Sequence, residues 1–288
     1  DGAALLARLQ ANQVEQLPAA ERLALRWAEL QTADIYGMSD EEFRQMRGWY
    51  SDAEVVELTF TVCFFNYFSR MVEGMGLPVE PWVLDPASPP AAQKAMARER
   101  VQPRVGLISD SEIESTGAVL KASREPAAGG LGLGMANSQR AMFRVPALAQ
   151  AWRAFGAANG QGVVGRDILL QVSFAVSMAN GCRYCTIHQV VGLRRLGVDP
   201  TKLLAMEKDD SRLTPKEKTA VTFARKLTAA PSTMTAADYA AIRQAFGEQG
   251  ALEVLLQTCN FAFMNRFTDG LRLPSEDEAI KIYKEVYG

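Results

Sequence analysis

The amino-acid sequence predicts an all-α protein containing an internal duplication of a three-helix unit. Alternating runs of Val, Ile and Thr are few, and no Asn-Gly pair separates two of them, so the strand signal is weak throughout. Residues 17–78 lie over residues 213–274 at a constant offset of 196 with no gap. Fifteen identities across those 62 positions include Glu21/Glu217, Cys63/Cys259, Arg70/Arg266, Gly74/Gly270 and Pro78/Pro274, and swaps such as Trp27/Phe223 and Phe43/Tyr239 join them. A fixed offset of this kind marks duplication. Helix-opening signals also recur at matched places in both copies.

Each copy reads as three helices. Thr214-Pro215-Lys216-Glu217 is a capping box with Pro at the first helical position, opening a helix toward Leu227. Ser39-Asp40-Glu41-Glu42 opens the middle helix of the first copy, and Thr235 with Asp238 opens that of the second. The third helices, 53–73 and 249–269, are apolar almost all round and belong in a core. Gly74 and Gly270 suit helix stops, with Pro78 and Pro274 beyond them. Between the copies come a Pro- and Ala-rich stretch and a Gly-rich run at 126–134. Helices are expected next over 138–156, 166–179 and 181–196, the last ending at Gly197. The organisation read from this pattern is a partial repeat at 1–82, a linker at 83–103, a complete domain at 104–274 and a tail at 275–288.

Composition narrows the function classes. Apolar residues make up 48% and charged residues 22%, as in ordinary globular chains. A net charge of −2 carries no nucleic-acid footprint, and Lys94, Arg98, Arg100 and Arg104 read as a solvated face beside the linker. The most apolar stretches, 55–68, 168–179 and 252–264, fall short of the roughly 18 residues a membrane span needs, and they read as buried helices. No signal peptide is visible, and the start at Asp1 without Met reads as a processed or trimmed end; a cytoplasmic protein is expected.

The chemistry concentrates in Asn180-Gly181-Cys182-Arg183-Tyr184-Cys185-Thr186-Ile187-His188, which holds two of the four cysteines and the single histidine. A helix should break at Asn180-Gly181 and another begin there. That puts both cysteines in a first turn, where free N–H groups and the helix dipole favour a thiolate. Cys182 and Cys185 are i,i+3 neighbours, and so are Cys185 and His188, whereas Cys182 and His188 lie far around the axis. Cys185 is therefore the better candidate for a thiolate generated by His188, with Cys182 resolving it as a disulfide. A zinc site would need a fourth ligand, and Cys63 and Cys259 sit mid-helix in apolar surroundings. Covalent haem would need His directly after the second Cys, where Thr186 stands. No metal and no cofactor are expected, and Cys63 and Cys259 read as core residues.

The run from Val172 to Cys185 and the downstream Asn265-Arg266 resemble the carboxymuconolactone decarboxylase/AhpD-like superfamily on its alkylhydroperoxidase side. The resemblance covers 104–274 and, as a partial second copy, 5–78. It implies an AhpD-like helical bundle, assembly into trimers or hexamers, and thiol-dependent reduction of a small-molecule peroxide by electrons from a thiol or disulfide donor. It also implies attack by the second cysteine and resolution by the first, the roles that spacing gives Cys185 and Cys182. A nucleic acid or a membrane is not an expected partner.

The chain departs from that pattern in its proton relay. Leu170 occupies the place of the family's Glu, and Gln189 the place of its His, with His188 one residue earlier. Asp167 is the nearest upstream acid, and Ser173 is expected nearer to His188 across the helix pair. Tyr184, Ser173, Asp167 and Gln189 are thus supporting candidates beside Cys185, Cys182 and His188. The expected function is a peroxidase or disulfide oxidoreductase. A decarboxylase-like enzyme acting on a lactone, or a non-catalytic oligomer keeping the fold, are the alternatives.

Overall fold

A computed structural model describes residues 8–9, 11, 13–35, 37–75, 106–109, 111–112, 137–159 and 162–288. The expected linker at 83–103 and the Gly-rich run at 126–134 lie outside the described residues. Among those described there are eleven α-helices, two short 3-10 turns and no strand, so the all-α, AhpD-like helical fold is borne out. The helices are α1 (Ala19–Ala33), α2 (Asp40–Arg47), α3 (Asp52–Met75), α4 (Asn137–Met142), α5 (Pro146–Asn159), α6 (Arg166–Asn180), α7 (Arg183–Arg195), α8 (Pro200–Lys208), α9 (Pro215–Ala229), α10 (Ala236–Gly270) and α11 (Asp277–Tyr287).

The duplication recurs in the helix boundaries. Shifted by the repeat offset, α1 coincides with α9, and α2 begins where α10 begins. Capping boxes close on Ser39/Glu42 and on Thr235/Asp238, matched positions in which each side chain accepts from the amide three residues on. Thr214/Glu217 caps α9 in the same way. The helix α10 fuses the second copy's middle and third helices, with Gly247 between them at φ 73° and ψ 177°. Only glycine takes up that conformation without strain, so Gly247 turns the chain where the first copy uses the break between α2 and α3.

The two copies pack through α3 and α10, and the packing is reciprocal. Cys63 shares a core cluster with Phe263, while Cys259 shares another with Tyr67, and Tyr67 and Phe263 are themselves repeat partners. A Cβ on Gly74 would stand 3.0 Å from Leu255 Cδ1 and 3.1 Å from Leu227 Cδ2, and one on Gly270 would clash with the side-chain amide of Gln31. Gln31 and Leu227 are again partners at the offset. The helices end within a residue of Gly74 and Gly270, as expected, though neither glycine takes a left-handed conformation. Both glycines are places of close approach between copies, and past α10 it is Arg272 that takes a positive φ, 52°.

Two further expectations change. The helix expected over 138–156 is split into α4 and α5, because Pro146 has no N–H to continue a helix and serves as the first residue of the next. The segment 275–288, read as a tail, folds as α11 and packs on α7 and α8. No helix among the described residues is long and apolar enough to cross a membrane.

Candidate functional site

The Cys-x-x-Cys segment sits where α6 hands over to α7. Gly181 caps α6 in the left-handed conformation, φ 72°, which reverses the chain and leaves Cys182 as the extended N-cap of α7. The Cys182 thiol accepts the Cys185 backbone N–H at 3.3 Å, and Thr186 Oγ1 donates to the Cys182 carbonyl at 2.7 Å. Both sulfurs stand 3.4 Å from one hydroxyl, Thr268 Oγ1 on α10. Cys182 is fully buried and Cys185 is 3% exposed, in a core cluster shared with Trp27, Phe43 and Cys63 of the first copy. Burial, followed by the neighbouring Cys185 and the charge of Asp269, pushes the Cys182 thiol well above the ordinary range, against a smaller downward pull from Thr268. In the reduced pair Cys182 thus keeps its proton. All four cysteines are free thiols.

His188 does not reach either sulfur. Its Nδ1 donates to the Tyr184 carbonyl one turn back, at 2.7 Å, and its Nε2 faces Glu276 Oε2 at 2.6 Å. The ring also stacks on Tyr184, centroids 4.1 Å apart. Each ring nitrogen thus has an oxygen within hydrogen-bond distance. Burial pushes the Glu276 carboxyl up. The hydrogen bond and charge of His188, with the Asn137 amide at 2.6 Å on the other oxygen, pull it below its usual value. Tyr184 Oη donates to the same oxygen at 3.3 Å.

The supporting candidates are scattered by comparison. Ser173 does not orient the His188 ring. It donates to the Leu169 carbonyl and accepts from Gln257 Nε2 at 2.7 Å, because α6 turns that face toward α10. Asp167 stands exposed in the first turn of α6. Gln189 is buried with its Oε1 lacking a hydrogen-bond partner. Leu170, in the place expected for a relay carboxylate, packs against the cluster around Phe174, Leu203 and Val221. Among the described residues no group of His, Cys, Asp and Glu is arranged to hold a metal.

Sequence reasoning missed Thr268 and Glu276. Thr268 had a signal: its repeat partner is Val72, so the second copy has a hydroxyl on its third helix where the first has valine. Glu276 had only a weak one, a position just before the apolar-periodic Ala279, Ile280 and Tyr283.

With a Cys-x-x-Cys pair at a helix start inside an all-α bundle, comparison with known proteins places the segment. Residues 146–226 match the Carboxymuconolactone decarboxylase family model. The resemblance read from the sequence is borne out by this match. No curated protein sequence matches the chain. Among solved structures, the debrominase Bmp8 in complex with 2,3,4-tribromopyrrole is similar at TM-score 0.57 and 18% identity, covering 65% of this chain and 100% of that one. The apo form of the same debrominase gives 0.54 and 19%, covering 62% and 96%. A peroxidase-related protein from Silicibacter sp. gives 0.48 and 20%, covering 51% and 79%. At these identities the likeness to the debrominase shows the fold.

Proposed function

We propose that the chain is a thiol-dependent oxidoreductase that reduces small peroxides through Cys185 and Cys182. The observation that carries this reading is the placement of both sulfurs on the Thr268 hydroxyl at the N-terminus of α7. There a dithiol and a disulfide can interchange with little backbone movement. Cys185 attacks the outer peroxide oxygen as a thiolate, forming a sulfenic acid and releasing the alcohol. The Cys182 thiol, which holds its proton, then displaces the sulfenic oxygen as water and closes the disulfide. Across the cycle two thiols and one hydroperoxide become one disulfide, one alcohol and one water. A dithiol donor returns the two electrons.

His188 and Glu276 act as positioning residues in this scheme. The carboxylate missing from position 170 is supplied from the N-cap of α11, and the contact holds the turn that carries Cys185. Assembly with further copies of the chain belongs to the same proposal, and light scattering above 31.5 kDa per particle tests it.

The test is thiol counting under denaturing conditions before and after a stoichiometric hydroperoxide pulse. Two of the four thiols should disappear and return with dithiothreitol. Cys182→Ser should stop at a sulfenic acid trappable by dimedone, and Cys185→Ser should resist oxidation. A parallel pulse with a brominated pyrrole distinguishes a dehalogenating use of the same dithiol. Loss of thiols with the bromopyrrole but not with any hydroperoxide would replace the peroxide reading, and unchanged thiols in every arm would end it.

A further inference from the structure

Two guanidinium groups lie inside the interface between the copies. Arg70 on α3 and Arg266 on α10 are repeat partners, exposed by only 8% and 9%. Arg70 donates through one terminal nitrogen to Asn66, to its carbonyl at 3.0 Å and to its Oδ1 at 3.2 Å. Arg266 donates likewise to the Ala262 carbonyl at 3.2 Å. The Nε–H of each is buried and has no hydrogen-bond partner, and among the described residues neither group has a carboxylate within ion-pair distance.

That arrangement is costly as it stands. A buried charge left uncompensated is strongly destabilising, and here two like charges share one interface. Burial and the charge of Arg266 pull Arg70 down to about 9, and burial also pulls Arg266 below its usual value. A guanidinium does not lose its proton at neutral pH. Among the described residues, the acidic side chain whose charge acts on Arg266 is Asp269, a turn beyond it, and none acts on Arg70. Two positive charges against one negative leave the cluster a single negative charge short. The unfilled Nε donors are the kind of group that takes an oxygen or a halide.

We propose that Arg70 and Arg266 form a buried binding site for one small, singly charged anion, of halide or carboxylate size, between α3 and α10. The anion completes the hydrogen bonding of both Nε groups and cancels the repulsion between the copies. The site is independent of the thiol chemistry and asks only for small size and one negative charge.

Thermal unfolding of the full chain tests it. The buffer is sodium HEPES, whose sulfonate is too bulky for the site, with sodium held constant while chloride, bromide or formate replaces it. A saturable rise of the midpoint by about 5 °C is expected for at least one of the three. Whether halide or formate saturates tells which source fills the site. Arg70→Met and Arg266→Met should each abolish the rise while matching the shape of the side chain. Bromide in soaked crystals should give an anomalous peak between the two guanidinium groups if halide is the ligand. No saturable rise in the unsubstituted chain, or an equal rise in both variants, would overturn the proposal. Should neither variant fold, the titration of the unsubstituted chain and the bromide position still decide it.

Discussion

His188 Nε2 and Glu276 Oε2 stand 2.6 Å apart, so the last helix is fastened by an ion pair to the turn that carries Cys185. His188→Gln and Glu276→Gln should therefore act through one interaction. Each is expected to lower stability by about 2 kcal/mol, since each strands a largely buried partner. The double variant should cost clearly less than their sum, with a coupling of about 1–2 kcal/mol. Urea unfolding of the four proteins measures this. Additive costs would show that the two side chains do not share the contact.

Leu170 tests the relay from the other side. A glutamate there would place a carboxylate on α6, but the structure puts Leu170 against the cluster around Phe174, Leu203 and Val221, and the imidazole already has a carboxylate. Leu170→Glu should destabilise by about 1–3 kcal/mol and leave the rate of Cys185 oxidation no faster. Rapid-mixing oxidation with hydroperoxide, followed by intrinsic fluorescence, gives the rate. A several-fold acceleration would show that Glu276 does not fill the role.

Acid should unfold the chain through identifiable carboxylates. Burial pushes Glu217 up, but hydrogen bonds from Lys202, Gln171 and Thr214 outweigh it and hold the group at about 2; Glu276 is lowered as described. In the unfolded chain both return to about 4.3. Below that pH the unfolded chain takes up protons that the folded chain still refuses. The stabilisation these groups supply is complete above about pH 4.3 and drains away as pH falls toward their folded values. The urea midpoint should drop between pH 5 and 3, and Glu217→Gln should flatten that drop. An unchanged acid slope in the variant would count against the assignment.

Gly270→Ala probes the close approach of the copies. Its new Cβ would meet the buried Gln31 side chain, which also sits within hydrogen-bond reach of Thr59 and Cys63. A cost of about 1–2 kcal/mol is expected. Adding Gln31→Ala should return part of it, because the obstruction is then gone. A Gly270→Ala protein as stable as the parent would mean that α10 and α1 are further apart.

The repeat was legible because its matches fall on residues whose neighbours both copies keep, such as Cys63 and Cys259. The capping boxes were legible because they are local, three residues from donor to acceptor. The dithiol was legible for the same reason: Gly181 and the i,i+3 spacing define it within one turn. What surrounds the dithiol was not. Ser173 was placed opposite His188 by counting along two joined helices, yet the angle at which α6 meets α10 turns it to Gln257 instead. The pairing of His188 with Glu276 spans 88 positions and depends on how α11 docks, which no local pattern encodes.

The reciprocal packing of α3 on α10 changes what evolution can vary. Where two identical subunits meet about a two-fold axis, every substitution appears on both sides at once. Here the facing positions are separate codons, and they have drifted apart: Gln31 faces Gly270 where Leu227 faces Gly74, and Thr268 has a hydroxyl where Val72 has none. One half is free to specialise as a scaffold while the other supplies the Thr268 hydroxyl to the dithiol. The covalent tether also makes the meeting of the halves a unimolecular event, so dilution cannot separate them.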